Sequence, residues 1–242
     1  NKIFLPEFLC FSDFEKKLYK KTNAKVLKFS PVGSYHYSNF EYFYKKKIKI
    51  KYDLCLIAEI PYTRKSEDLN RAIGEFDRGA LIAKFTYKFA KKNNLKIVIA
   101  GKRTPTKIRD KRRLGNTSAN LKSIHNIEHD VYKKILGKKI KIITNDPPIY
   151  SSYKAAYSSK VIIGGSSTLL REMLGAGKKI LVWRPDSKKG RNFPLNGICS
   201  LKSKSYEDFE KRLKLIFKIN TKDYFKKINK NPSYVMKYEK KY

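Results

Sequence analysis

The 242-residue chain predicts an α/β fold, a parallel sheet with helices on both faces, and three observations lead there. Strand-sized and helix-sized segments alternate along the whole length. The strands, such as "LCLIA" at 54–58 and "IVIA" at 97–100, are continuously apolar, as strands buried on both faces are. One segment, "VIIGGSSTLLREMLGAGKKILVW" at 161–183, reads as strand, small-residue turn, helix and strand in a single run.

Taken in order, "KIFLP" is a first strand, "DFEKKLYKK" a helix that Ser12 or Asp13 can cap, and "AKVLKFSPV" a second strand. The stretch "SPVGSYHYS" then reads as a Pro/Gly/Ser turn and a domain boundary. A basic patch, "YKKKIKIK" at 44–51, leads into the strand "YDLCLIAE", and "IPYTRKSEDLNRAIG" is a polar loop. From Glu75 to Asn93 the pattern is helical, with Phe76, Ala80, Ala83, Tyr87 and Ala90 on one broad stripe. The strand "LKIVIAGKR", a charged loop, the helix "HNIEHDVYKKILG" ending at Gly137 and the strand "KKIKIITNDPP" follow. A helix opened by Ser151 or Ser152 precedes the segment at 161–183, and "KKILVWRP" is its closing strand. The short strand "GICSL", a helix capped by Ser205 and a last helix, "TKDYFKKI", complete the chain. These boundaries divide it into an N-terminal βαβ segment and crossover at 1–48, a main α/β domain at 49–222 and a helical tail at 223–242.

Composition excludes several classes. Aliphatic and aromatic residues are plentiful and evenly spread, which argues against disorder, and no apolar run approaches a membrane span. Cys10, Cys55 and Cys199 are far apart without metal-ligand spacing, as in a reduced, cytoplasmic chain without a metal site. The net charge of +35 attracts phosphates, on nucleotides, nucleic acid or anionic lipid alike.

The turn at 164–168 has a specific chemistry. In a parallel sheet, ligands lie beyond the carboxyl ends of the strands, where the next helices point their N-termini. Gly164 and Gly165 let backbone approach a ligand, and Ser166, Ser167 and Thr168 add hydroxyls to the free N–H groups of the helix start, a neutral phosphate cradle at a positive helix end. Glu172, four residues after Thr168, lies on the same helical face and can accept from a sugar hydroxyl. The plain alternative is an N-cap at Ser167, a tight glycine turn and a solvated Glu172.

The run "YSSKVIIGGSSTLLREMLGAGKKILVW" resembles the donor-binding segment of GT-B glycosyltransferases, and "PVGSYHYSNF" resembles the crossover between the two Rossmann-like halves of bacterial surface-carbohydrate transferases. The similarity spans about residues 26–220 as topology and 158–184 as a motif. It implies a Rossmann-like, GT-B-like domain with a short or truncated N-terminal half. It further implies that Gly165, Ser166, Ser167 and Thr168 face the diphosphate of a sugar nucleotide and that Glu172 faces the ribose. The donor would be a substrate, with no separate cofactor and no obligatory metal. The acceptor would be a hydroxyl on a glycan or a lipid-linked glycan in surface polysaccharide synthesis. The paired glutamates of many retaining members are not evident.

Other residues fall at the same edge of the sheet. Lys102 and Arg103 follow the strand "KIVIA" and can clamp a diphosphate, or stand as a solvated pair. His36, at the proposed cleft, and Glu59, closing its strand, are the two candidate general bases, each with a structural alternative. His125, Glu128 and His129 give a HxxEH pattern, but without a third carboxylate helix and in Lys-rich flanks zinc is disfavoured. The +35 field keeps a basic nucleic-acid-binding protein as an alternative, although no helix-turn-helix or RNP-like pattern appears, and a sugar-nucleotide epimerase is another. The same charge suits peripheral contact with an anionic membrane.

Overall fold

The computed structural model describes residues 3–22, 24–59, 69–102, 124–185 and 193–237, the helical stretches 69–77 and 124–127 and Pro147 as backbone only. Among these residues the strands are β1 (Phe4–Cys10), β2 (Lys25–Pro31), β3 (Tyr52–Ile57), β4 (Ile97–Ala100), β5 (Ile142–Ile143), β6 (Ser159–Gly164), β7 (Lys179–Trp183) and β8 (Ser200–Leu201). The helices are α1 (Asp13–Tyr19), α2 (Tyr35–Tyr44), α3 (Leu69–Lys92), α4 (Ile124–Leu136), α5 (Ser151–Tyr157), α6 (Thr168–Gly175), α7 (Tyr206–Lys218) and α8 (Thr221–Lys226).

β3 to β8 form a six-stranded sheet in the order β5-β4-β3-β6-β7-β8, and every pairing is parallel. Counted from β3, this is the doubly wound 3-2-1-4-5-6 order. The fold class is thus the parallel, Rossmann-like α/β arrangement that the apolar strands predict. Helices α3, α4 and α7 cover one face, and α2, α5 and α6 the other. Leu54, Leu56, Val98, Ile99, Val161, Ile163, Leu181 and Trp183 are buried in it, which is why these strands carry no polar alternation. On the first face Phe85 of α3 touches Trp183, Tyr206 and Phe209. On the other, Phe40 of α2 packs on Tyr150, Tyr153 and Tyr157.

β1 and β2 make a separate two-stranded parallel sheet, crossed by α1. Phe8 and Phe29 cluster with Tyr19 of that helix. This small sheet is tied to the rest by the chain's far end: Lys237 N–H donates to the Phe11 carbonyl at 2.8 Å. Arg171 of α6 pairs with Glu15 of α1 and donates through Nε to the Val235 carbonyl at 3.1 Å. Gly33 has a φ of +75°, and a Cβ there would stand 2.4 Å from the Lys237 carbonyl oxygen, so both the backbone conformation and the close approach require glycine.

Local signals explain most boundaries. Ser12, Ser167 and Ser205 cap α1, α6 and α7, their hydroxyls accepting from Phe14, Leu169 and Asp208 N–H groups. Two expectations need correction. Helix α2 begins at Tyr35, inside the expected turn "SPVGSYHYS", because Ser34 acts as its N-cap by accepting the Tyr37 N–H. Helix α3 begins at Leu69, inside the expected polar loop. Helix α5 starts at Ser151 as expected, preceded by Tyr150 in the left-handed region (φ 51°), with the Ser151 hydroxyl accepting the Asp146 N–H at 2.6 Å.

Candidate functional site

In the doubly wound order the chain leaves β3 toward β4 on one side and returns to β6 on the other, so a crevice opens at the carboxyl ends of β3 and β6. Glu59 follows β3, and Gly165, Ser166 and Ser167 follow β6. The topology therefore brings together residues more than a hundred positions apart.

The glycine–serine turn is an anion-binding nest whose occupant is a protein side chain. The Glu59 carboxylate accepts the N–H of Gly165 (2.8 Å), of Ser166 (2.9 Å to Oε1 and 3.0 Å to Oε2) and of Ser167 (3.2 Å). Three successive backbone donors aimed at one anion, at the start of α6, are what a phosphate oxygen would meet in the same place. The two glycines leave room for the Glu59 carboxylate to lie against the turn. A Cβ at Gly164 would stand 2.9 Å from Glu59 Oε1, and one at Gly165 would stand 2.7 Å from Oε2. Tyr132 of α4 fixes the approach from behind by accepting the Glu59 N–H at 3.1 Å.

A cation not singled out by the sequence also reaches the nest. Arg78 of α3 is only 8% exposed, and its Nε would lie 3.4 Å from a Cβ at Gly165. Its signal was weak, since one Arg among 56 Lys and Arg residues gives no clue until α3 is laid against β3. Thr168 is exposed on the first turn of α6, while Ser167 both donates its N–H to Glu59 and caps the helix.

The end of β4 is held by a set of polar contacts. Glu128 accepts the Lys102 N–H at 3.0 Å, Asn145 donates to the Lys102 carbonyl at 3.1 Å, and Ser152 donates to the Gly101 carbonyl at 2.7 Å. Lys102 is exposed beside this framework, and Arg103 lies outside the described residues. Of the HxxEH pattern, Glu128 serves this framework and His129 Nε2 is 3.4 Å from Thr144 Oγ1, while the side chain of His125 is not among those described. Among the described residues no group of three or more His, Cys, Asp or Glu side chains gathers as a metal site.

Glu172 sits one helical turn into α6 and is 3% exposed. It accepts hydrogen bonds from Ser34, at the start of α2, and from Tyr153 of α5 at 2.9 and 3.0 Å. In this state it therefore faces protein hydroxyls, and a ribose hydroxyl would have to replace one of them. Burial raises the Glu172 carboxyl above its usual range, against the opposing pull of the Ser34 and Tyr153 hydroxyls and of the nearby His36 and Arg171 charges. The same burial, with the Glu172 charge beside it, pushes the Tyr153 phenol far up. His36 is exposed on the first turn of α2, on the rim of this cluster.

Among the described residues no helix is long and apolar enough to cross a membrane. No protein-family model matches the chain, and no curated protein does. A solved structure with a related course is the C-terminal domain of a glycosyl transferase group 1 family protein (LpcC) from Francisella tularensis. It is 14% identical, the match covering 85% of this chain and 91% of that one, with a TM-score of 0.35, and a likeness at that level assigns no activity.

Proposed function

We propose that this chain is a glycosyltransferase domain that binds the diphosphate of a nucleotide-sugar donor in the Gly165–Ser167 nest. The observation that carries the reading is the position of the nest, at the crevice where the sheet order reverses, already holding an anionic group on three backbone N–H donors. The sequence resemblance of residues 158–184 supplies the reaction class.

In this reading the donor diphosphate displaces the Glu59 carboxylate and takes over its N–H bonds, with Ser166, Thr168, Arg78 and Lys102 at the rim. The bond from the sugar's anomeric carbon to the diphosphate oxygen breaks, and a bond to the acceptor oxygen forms. The acceptor's proton leaves to Glu59, freed from the nest, or to His36. The nucleoside diphosphate remains on the helix N-terminus and its cationic rim, which meets the developing charge without an obligatory metal. Glu172 receives the ribose if Ser34 withdraws from it. Acceptors of this class are glycan or lipid-linked hydroxyls of a surface polysaccharide.

The test is thermal unfolding with UDP, GDP, CMP and dTDP and their sugars, at low and raised salt. A ligand of the folded state raises the midpoint by mass action. One nucleotide should stabilise the wild type in raised salt, stabilise Glu59→Gln more, because the nest no longer has a charged competitor, and fail with Gly165→Ala. If no nucleotide shifts the midpoint of either wild type or Glu59→Gln, the nest is a structural latch for Glu59 and the reading is wrong.

A further inference from the structure

The second cluster of chemistry lies away from the nest, along α2 and the lysine-rich segment after it. We infer that residues 42–51, together with the start of α5, form a docking surface for an anionic phospholipid bilayer. The inference uses none of the residues of the nest and stands independently of the transferase reading.

Its apolar part is built outward. Helix α2 buries Tyr37 and Phe40 in the core, yet leaves Tyr42 73% and Phe43 56% exposed. These rings are continuous with others. Tyr42 lies 4.9 Å from Phe43, Phe43 lies 6.2 Å from Tyr44, and Tyr44 lies 5.9 Å from Tyr150, whose neighbour Ile149 is again exposed. Large side chains scattered singly over a surface need no explanation, but a connected, protruding group does.

Its charged part surrounds that group. Five lysines fall between Lys45 and Lys51, and Lys46, Lys47, Lys49 and Lys51 are all exposed, with Ile50 exposed among them. The nearby carboxylate Glu41 is paired with Lys45. Beside the segment an open cavity of about 440 Å³ is lined by Tyr44, Tyr52, Lys47, Lys49, Lys51 and Lys154, with no carboxylate in its wall. Lys154 holds its ammonium 3.7 Å from the centre of the Tyr44 ring.

The combination selects the partner. Lysines are compact point charges that follow a field of headgroup phosphates without reading fixed geometry. Tyrosine and phenylalanine rings settle at the boundary between headgroups and acyl chains, and long lysine stems reach back from it to the phosphates. Ile50 and Ile149 gain from acyl chains but have no aromatic face to stack on a nucleobase, so a bilayer fits better than a single-stranded nucleic acid.

The experiment is co-sedimentation of the full chain with vesicles of phosphatidylcholine alone and of phosphatidylcholine mixed with phosphatidylglycerol. Three variants are compared with the wild type: Lys46→Ala/Lys47→Ala/Lys49→Ala, Tyr42→Ser/Phe43→Ser, and a charge-matched control in exposed lysines of α7 and α8, Lys211→Ala/Lys218→Ala/Lys222→Ala. All six lysines are on the surface, so the folded midpoint serves as the check on each protein. The wild type should prefer the anionic vesicles. Removing the patch lysines should weaken binding by about fivefold each, about a hundredfold together, and the control should change it far less. The aromatic pair should lower the part of the binding that survives raised salt. Equal losses in patch and control would show a diffuse charge effect and overturn the inference, as would equal binding to neutral and anionic vesicles. So would a single-stranded oligonucleotide that displaces the vesicles and depends on Tyr42 and Phe43 for its own affinity.

Discussion

The two parallel sheets are built from the same unit, a strand, a helix and a second strand, and differ in what covers them. In the large sheet, helices lie on both faces and Leu54, Leu56, Val161 and Ile163 lose all contact with water. In the small one, α1 covers a single face, and on the other Leu9 is 63% exposed. Parallel strands hydrogen-bonded only to each other bury too little to hold themselves together. The small sheet is therefore held by what it touches outside itself, the Arg171–Glu15 pair and the Lys237–Phe11 backbone bond among them. Where burial supplies the stability, single contacts matter little. Where it does not, a few polar links carry the attachment.

Leu56→Ala is the strongest challenge to the first half of that comparison. Leu56 lies in β3, paired with β4 and β6 and inaccessible to solvent. Deleting its side chain from a site walled by strands on both sides should cost about 2–5 kcal/mol, seen as a lower midpoint in denaturant with the slope unchanged. Loss of the large sheet should also abolish the proposed nucleotide binding, since Glu59 and the nest ride on β3 and β6.

Arg171→Ala addresses the second half. The guanidinium is largely buried, bonds the Val235 carbonyl, pairs with Glu15 and lies over the rings of Phe11 and Phe14 at 5.4 and 5.5 Å. Its removal leaves the Glu15 carboxylate in a half-dry site and should cost about 2–3 kcal/mol. The loss should be local: amide exchange should accelerate in β1, α1 and β2 while β3, β4, β6 and β7 keep their protection. Uniform acceleration would mean that the small sheet and the large one unfold as one body.

Glu172→Gln sharpens the comparison through pH. A carboxyl whose folded pKa is raised by burial makes the folded protein hold its proton longer than the unfolded chain does. Its contribution to stability is then present at low pH and lost as pH rises from the ordinary 4.5 through the raised value. The glutamine variant has no such titration. The stability of the wild type, relative to Glu172→Gln, should therefore climb as pH falls from neutral toward 4.5, by about 1.4 kcal/mol for every pH unit that separates the folded carboxyl from the unfolded one. A difference that does not move with pH would show that Ser34 and Tyr153 fully offset the burial of the charge.

How far the molecule could be read from its residues follows the same division. β3, β4, β6 and β7 were legible because they are apolar without interruption, and α1, α6 and α7 because a serine stands at each start. The nest was legible as a turn, since two glycines and two serines after a strand have few other uses. Its occupant was not. Glu59 and Ser166 meet only because β6 lies beside β3, and nothing local in either segment states that adjacency. Helix α2 was hidden for a different reason. Pro31, Gly33 and Ser34 are turn signals, and the same Ser34 that reads as a loop residue is the cap of the next helix. Arg78 and Tyr153 were missed because their roles depend on which helix face meets the site, which a surfeit of lysine and tyrosine obscures.

The smallest expected effect belongs to the outer face of the small sheet. Leu9 lies on β1 opposite Ser30 of β2, on the same side as the Glu7–Lys28 pair and away from α1. If attachment comes from Arg171 and the chain's far end, Leu9→Ser removes an apolar surface that already faces water, and stability should stay within about 0.5 kcal/mol of the wild type. The substitution should also leave the exchange of β1 and β2 amides unchanged. A loss of the size expected for Leu56→Ala would mean that Leu9 is covered in solution. The small sheet would then have a second packing partner, and the contrast between the two sheets would lie only in which neighbour supplies the burial.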